Sequence, residues 1–399
     1  MSGCNAVFYF DQTMKFNFFL IFSIGCLFLL GACKKTPKSS PVIAPVVIPQ
    51  PLPNTVDKTD TLKVMAYNVL GYGDGCQGST ATLNGYLQTI IQFTQPDLFS
   101  FEKMADFPPS SVFPLSFADD IRINALDPAF PGKYAYATPT NSSSADNMSV
   151  LFYNKQKLTY VKTETLLAYI TDFDLYKLYY NDPNLAITHD TTFIYVIPNH
   201  TQSGSASGTR DAQVTQVMTT LRTKFAYFPN LINMGDFNAH SNLEPGYQSI
   251  ITSSDTSTVM SDPPFSPDKS VSYSTQWETN TSGFASFLTT TTRALANVPN
   301  TCGTAGGAKS WYDHIFISPW LIKGSNYMRY IPNSYETVGN DGNRVGYDIN
   351  SATPVVNSSA PAAVINALFQ FSDKYPIMIK LLVKANRNAY SIPDPAEKN

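Results

Sequence analysis

The chain has 399 residues, of which 43% are hydrophobic, 13% aromatic and only 14% charged. The first two fractions supply a large core, while the last lies well below the globular average of about 25%. A net charge of −3 offers no basic face, which argues against a nucleic-acid-binding surface built on phosphate neutralisation.

The N-terminus reads as a targeting segment. Met14-Lys15 starts a short basic region, and residues 1–13 precede this better start. An uncharged apolar run, Phe16 to Leu30, is closed by Gly31-Ala32-Cys33 and followed by Lys34 and Lys35. The run is too short for a comfortable spanning helix. Small residues before a cysteine fit a bacterial lipoprotein cleavage site, with Cys33 as the lipidated terminus. Residues 1–33 are therefore expected to be a signal segment. Residues 34–60 carry Pro37, Pro41, Pro45, Pro49, Pro51 and Pro53 and are expected to be a semi-extended tether. A domain at 61–385 and a tail at 386–399 complete the division. After processing, Cys76 and Cys302 remain in an oxidising compartment and can form one disulfide; two unpaired, buried thiols are the alternative.

Within the domain, Thr61–Leu70 reads as a strand delivering Asn68 to a glycine-rich loop. Thr80–Thr94 carries a helical stripe of Leu83, Leu87, Ile90 and Ile91. Leu98–Phe101 is a second strand, delivering Glu102. Asn147–Tyr153 and Thr191–Pro198 follow, the latter delivering His200. Arg210–Phe228 is a second helix. Asn230–Asn233 leads into Gly235-Asp236-Phe237-Asn238. Ser310–Ser318, which contains Asp313, and Tyr375–Val383, preceded by Ser372-Asp373-Lys374, are the last clear strands. Strands outnumber helices, so a layered α/β protein with a mostly β core is expected.

Carboxylates and amides at strand ends suit a hard cation such as Mg²⁺, Mn²⁺ or Ca²⁺. Such an ion would stabilise charge on a phosphoryl oxygen and orient a water. His200 could protonate a leaving group or hold a phosphate oxygen. Taken singly, each residue has a bland reading: strand-end Asn and Asp form turns, and a lone His is more often a satisfied polar group. Their order and strand context favour the functional reading.

That order, Asn68, Glu102, His200, Gly235-Asp236-Phe237-Asn238, Asp313 and Ser372-Asp373-Lys374-Tyr375-Pro376, resembles the endonuclease/exonuclease/phosphatase superfamily. The group includes DNase I, abasic-site endonucleases, neutral sphingomyelinases and inositol phosphatases. The likeness covers about residues 60–385. It implies a DNase I-like, four-layer α/β/β/α sandwich of two packed, mostly antiparallel sheets, with the site at one end. It implies a metal bound by Glu102 with Asn68 beside it and Asp373 near. It gives His200, Asp236, Asn238 and Asp313 catalytic roles, Asp236 and Asn238 positioning water and phosphate. The stretch Gly339–Arg344 and a helix near Ala360–Phe369 resemble a subgroup of bacterial lipoproteins.

Two positions depart from the pattern. Phe101 stands where many relatives carry Gln. Lys374 stands where the superfamily carries a histidine partnered by the residue at Asp313. An ion pair of Lys374 with Asp313 is expected, and a charged lysine is a poor proton-transfer group near pH 7. His314 points to the opposite face from Asp313, and His240 follows the Asp236 motif closely. The expected function is a metal-dependent phosphoesterase on a lipid-anchored, monomeric envelope protein, with the outer membrane or cell surface favoured. The alternative is an inactive surface lipoprotein that binds a phosphorylated or polyanionic ligand.

Overall fold

A computed structural model describes residues 52, 54–106, 116–272, 276–300 and 302–388. The signal segment, Cys33 and most of the tether lie outside the described residues. Among the described residues no helix is long and apolar enough to cross a membrane.

Two sheets form the centre. The first contains β1 (Thr59–Tyr72), β2 (Leu98–Ala105), β3 (Tyr134–Tyr136), β4 (Asn147–Asn154), β10 (Met328–Tyr330), β11 (Glu336–Thr337) and β12 (Ile377–Lys384), in the order β10-β12-β1-β2-β4-β3 with β11 beside β12. The second holds β5 (Leu158–Tyr169), β6 (Thr171–Tyr180), β7 (Phe193–His200), β8 (Leu231–Asp236) and β9 (Asp313–Ile317), in sequence order. Only β1–β2 and β7–β8 are parallel. A parallel pair requires a crossover. The helices Thr80–Thr94 and Ser207–Lys224 supply the two crossovers.

Side chains alternate along each strand, and the two faces are both apolar. On the inner faces Leu62, Val64, Ala66 and Leu98 meet Ile194, Val196, Ile232, Met234 and Ile315 in one buried cluster. On the outer face of the first sheet Met65, Tyr67, Phe99 and Phe101 pack with Leu83, Leu87, Ile90 and Leu368 of the helices Thr80–Thr94 and Ala362–Phe371. On the outer face of the second, Tyr195 and Ile197 lie with Val214, Val217 and Leu221. The result is the expected four-layer α/β/β/α sandwich.

Local chemistry fixes the ends of these elements. The Ser79 hydroxyl caps the first helix by accepting from Thr82 N–H, and Gln95 stops it in a left-handed conformation just before Pro96. The second helix starts three residues earlier than expected and ends at Lys224, where Phe225 turns extended and buries its ring. The hairpin β5–β6 and the segment Phe117–Ala129 were not read from the sequence.

Candidate active site

The inner faces carry their apolar rows to one end of the sandwich, and there the rows turn polar. Asn68 continues Leu62, Val64 and Ala66; Glu102 continues Leu98 and Ser100. His200 continues Ile194 and Val196, Asp236 continues Ile232 and Met234, and Asp313 precedes Ile315. Strand register aligns them. Asn68 is paired with Glu102 across β1–β2, His200 with Asp236 across β7–β8, and Asp236 with Asp313 across β8–β9. Five residues distant in sequence thus meet between the two sheets.

Gly235 is required by this alignment. Its φ is +133°, and a Cβ there would lie 2.1 Å from Asn199 O on the neighbouring strand. Ser372 docks the last motif by donating to Asn68 O at 2.8 Å and accepting from Lys374 N–H at 3.1 Å.

Asp236 is the best-held carboxylate. Its Oδ2 accepts from Asn68 Nδ2 at 2.8 Å and its Oδ1 from Asn238 N–H at 2.9 Å. Burial opposes its charge, but Lys374, His200 and these hydrogen bonds hold its pKa below the usual range. Asn238 lies in a left-handed conformation, φ +47°, and its amide donates to Thr201 O at 3.0 Å.

Glu102 and Asp313 contrast with Asp236. Ser100 Oγ donates to Glu102 Oε1, but Glu102 Oε2 and both Asp313 oxygens are buried without a hydrogen-bond partner among the described residues. Burial pushes both carboxyls well up, Glu102 further raised by Asp313 and Asp236, and Asp313 by Asp236. Burial and mutual repulsion thus disfavour the charged form of both groups.

Lys374 corrects one expectation. Its Nζ donates to Thr290 Oγ1 at 2.9 Å and lies 3.9 Å from Asp236 Oδ2, with no hydrogen bond to Asp313. The four-carbon stem carries the charge further than an imidazole ring would reach. Burial disfavours the ammonium, but Asp373, Asp236 and Asp313 together keep its pKa above normal. Asp373 points elsewhere: its Oδ2 accepts from Thr304 N–H at 2.7 Å and Thr304 Oγ1 at 2.9 Å.

The expected metal set is therefore incomplete as a cluster. Among the described residues no three His, Cys, Asp or Glu side chains converge as a metal-binding group. Asn68 Oδ1 is taken by Leu70 N–H at 2.9 Å. Of the expected set, Glu102 Oε2 and Asp373 Oδ1 are buried and without a hydrogen-bond partner among the described residues, and Asp313 and Asp236 are close enough to Glu102 to raise its pKa. That donor chemistry fits an ion of the Mg²⁺ type, which binds through one or two carboxylates and completes its shell with water and substrate oxygens.

His200 is half-buried, and burial, with Lys103 and Lys374 nearby, pushes its pKa down to about 4 against the pull of Asp236. A neutral ring has no acidic proton reserve near pH 7. Its role narrows to holding a phosphate oxygen or accepting a proton.

These residues open onto a chamber of about 420 Å³, lined among others by Asn68, His200, Asp236, Asn238, Asp373 and Lys374. Glu102 and Asp313 are fully buried and are not part of its lining. The chamber also contains Lys103, Lys309, Thr290 and Tyr312, which sequence reasoning did not single out. Lys103 stands next to Glu102 at φ +58°, where β2 slips register, and that irregularity has no signature in the sequence. The Lys374 ammonium lies 5.4 Å from the centre of the Tyr312 ring. Tyr312 donates to Glu278, which also bonds His240 Nδ1 at 2.9 Å. His240 is thus one residue removed from the chamber.

Two further expectations hold. Cys76 and Cys302 form a disulfide, with Cα atoms 5.6 Å apart, and both line the chamber mouth. His314 faces away from Asp313 into an aromatic cage, bonded to Asp262 Oδ2 at 2.9 Å and Trp311 O at 3.1 Å.

The architecture defines a DNase I-like α/β sandwich with a polar, carboxylate-lined end. No family model and no curated protein matches the chain. Several solved structures are similar to it. TDP2 from D. rerio, complexed with a single-stranded DNA product, is 12% identical over 81% of this chain and 99% of that one, with a TM-score of 0.47. A mannosyl-6-phosphatase of Bacteroides thetaiotaomicron VPI-5482 is 15% identical over 80% and 99%, TM-score 0.45. An endonuclease/exonuclease/phosphatase family protein from Bacteroides thetaiotaomicron is 13% identical over 82% and 99%, TM-score 0.42. These likenesses concern fold; the chemistry rests on this chain's own residues.

Proposed function

We propose that the protein is a phosphoesterase assisted by a divalent cation and carried on a lipid anchor at Cys33. The observation that supports it best is the polar end of both inner faces, where Asn68 and Asp236 line a chamber with Lys103, Lys309 and Lys374, and Glu102 and Asp313, their register partners, keep buried, unpartnered oxygens. Mg²⁺ or Mn²⁺ bound at Glu102 would stabilise charge on a phosphoryl oxygen. The charged Asp236, fixed by Asn68 and Asn238, orients the attacking water and draws on its proton. The Lys374 ammonium neutralises a phosphate oxygen, and the neutral His200 ring holds another through its N–H. Water adds to phosphorus as the P–O ester bond breaks; Asp236 takes up the proton the water sheds, and the leaving oxygen takes its proton from solvent. Asp313 faces Asp236 across β8–β9, and burial with that neighbour pushes its carboxyl well up. The anchor, followed by the proline-rich tether, places the domain at an envelope surface, with the outer membrane favoured.

A second reading is favoured by one observation. Lys374, whose pKa is held above normal, is a poor proton donor near pH 7, and burial pushes the His200 pKa down, which disfavours its protonated form. The site would then bind a phosphorylated or polyanionic ligand without turnover. Hydrolysis of bis-p-nitrophenyl phosphate and p-nitrophenyl phosphate, with Mg²⁺ and with EDTA, separates the two. Metal-dependent release abolished by Asp236→Asn supports the enzyme. Phosphate binding without release from either compound supports the binding protein.

A further inference from the structure

The end of the sandwich opposite the site carries a cluster of cations that the phosphoesterase reading does not use. On the outer face of the first sheet, Met65 and Met378 lie under the helices. The same rows continue beyond them as Lys63 and as Lys380, Leu382 and Lys384. Arg329 of β10 adds to this face, aligned with Leu382. Lys323 joins from the end of the helix Pro319–Lys323. Lys323, Arg329 and Lys384, with Tyr327 and Leu382, line a pocket of about 160 Å³. Lys323, Arg329, Lys380 and Lys384 are exposed, and among the described residues no ion pair involves any of them. Lys63 is half-buried and donates to Thr94 O at 3.0 Å.

The acids that adjoin this face are engaged by other groups. Asp57 pairs with Arg387 at 3.3 Å. Asp60, on the inner-face row of β1, pairs with Lys157 at 3.0 Å, and Asp97 takes the same ammonium at 3.2 Å. Asp182 and Asp190 both accept from Asn386. Asp268 accepts from the Tyr330 hydroxyl at 2.6 Å and from Asn333 N–H at 2.9 Å. Glu336 is exposed, but it stands beside Met378 at the other end of β12. In a chain of net charge −3, this cationic face is a local feature and not a reflection of overall composition.

Position identifies the anion it meets. β1 begins at Thr59, opposite Lys384, so the chain enters the domain at this end. Leu52 N–H donates to Arg387 O at 2.9 Å, and Ala385 N–H to Lys58 O at 2.8 Å. β1 then carries the chain from Thr59 to Asn68 at the site, roughly 30 Å at about 3.3 Å per residue. Tyr227 and Trp320, both half-buried, stack with ring centres 5.0 Å apart. Trp320 lies three residues before Lys323 and so shares its helix face. Aromatic rings of this kind beside lysine and arginine suit the headgroup layer of an anionic membrane. A tethered domain meets such a surface at high effective concentration, so individually weak contacts suffice. A polyanion free in solution gains nothing from the tether.

We propose that this face docks on the anionic headgroups of the membrane that holds the anchor, with one lipid phosphate seated among Lys323, Arg329 and Lys384. The chamber then opens away from that membrane and takes its substrate from solution. The nearness of the membrane rests on the anchor at Cys33; the affinity of the face for anionic headgroups does not.

The test uses the full chain as the cell processes it, with vesicles of phosphatidylcholine alone and of equal parts phosphatidylcholine and phosphatidylglycerol. A membrane-impermeant amine reagent, read by peptide mass spectrometry, reports each lysine. On the anionic vesicles labelling of Lys323 and Lys384 falls at least fivefold, while that of Lys309, at the chamber, is unchanged. On the neutral vesicles each lysine labels as it does without lipid. Salt at about 1 M removes the protection, because it cuts the screening length to about 3 Å. Each cation at an anionic surface is worth about fivefold in affinity, so in an Arg329→Gln, Lys384→Gln variant Lys323 labels as on neutral vesicles. Both positions are exposed, and the melting temperature of this variant stays level. Equal labelling of Lys323 and Lys384 on the two kinds of vesicle overturns the proposal. So does protection of Lys309 in their place, or stronger protection by dissolved polyglutamate than by the anionic vesicles. The mass of the N-terminal peptide reports the anchor separately. A lipidated chain without protection keeps the anchor and loses the face. An unlipidated chain that sediments with the anionic vesicles, and ceases to do so as the double variant, loses the anchor and keeps the face. An unlipidated chain that does not sediment with them loses both.

Discussion

Asp313 and His314 are neighbours in the chain, yet they end in opposite kinds of environment. His314 points outward into Trp277, Trp311, Tyr247 and Phe316, and both ring nitrogens are bonded. Asp313 points inward between the sheets, and neither oxygen is bonded. Both are fully buried. Burial alone therefore does not mark function. A satisfied buried polar group is compatible with a purely structural role, while an unsatisfied buried carboxylate costs stability and calls for a further explanation, such as a bound ion.

The largest effect tests the unsatisfied side. Glu102→Gln keeps the shape and removes the charge. It should lower kcat on the preferred ester by about 10³-fold, or about 4 kcal/mol in the barrier. The melting temperature in EDTA should stay level or rise, because a strained carboxyl is gone. Retained activity, or a collapse in stability, would place Glu102 with His314 as a structural group.

His314→Ala should do the opposite. It leaves Asp262 with only the Tyr247 hydroxyl as partner and opens a cavity, costing about 3 kcal/mol in urea unfolding. The rate per folded molecule should stay within twofold. A variant that unfolds normally but loses its rate would make the outward face part of the site.

Lys374→His sharpens the comparison. An imidazole reaches less far than the lysine, which leaves it beside Asp313 rather than Asp236. It should give the Asp313 oxygens a partner and the site a group that titrates near neutrality. Activity should rise at least tenfold, about 1.4 kcal/mol. An unchanged rate in a well-folded variant would move the limiting step away from this position.

The smallest effect is on pH dependence. The folded pKa of Glu102 is raised above its unfolded value. Its contribution to stability is thus full below the unfolded pKa and is lost as pH rises towards the folded one. A cation at Glu102 reverses this, since the ligand must shed its proton. Mg²⁺ should therefore raise the melting temperature more at pH 8 than at pH 5, and the difference should vanish in Glu102→Gln. A metal effect independent of pH would move the ion off Glu102.

Much of this was written in the strands themselves. The apolar alternation of Leu62, Val64 and Ala66, and of Ile232 and Met234, sets which face is inward. The next residue on each such face is Asn68 or Asp236. The same period places His314 away from Asp313. The hairpin β5–β6 was missed because β5 lies at the sheet edge. Its Thr163, Glu164 and Thr165 leave neither face apolar, so no alternation marks it.

The sequence by itself determined the strands that carry the site and the two crossover helices, the strand-end set Asn68, Glu102, His200, Asp236 and Asp313, and the availability of Cys76 and Cys302 for one bridge. These depend on local period and on composition, which are properties of the chain. The tertiary structure alone decided the partner of Lys374, the Thr304 hold on Asp373, and the entry of Lys103 and Lys309 into the chamber. Each of these depends on the reach of a flexible side chain or the path of a loop. Both are fixed only when segments far apart in sequence pack together.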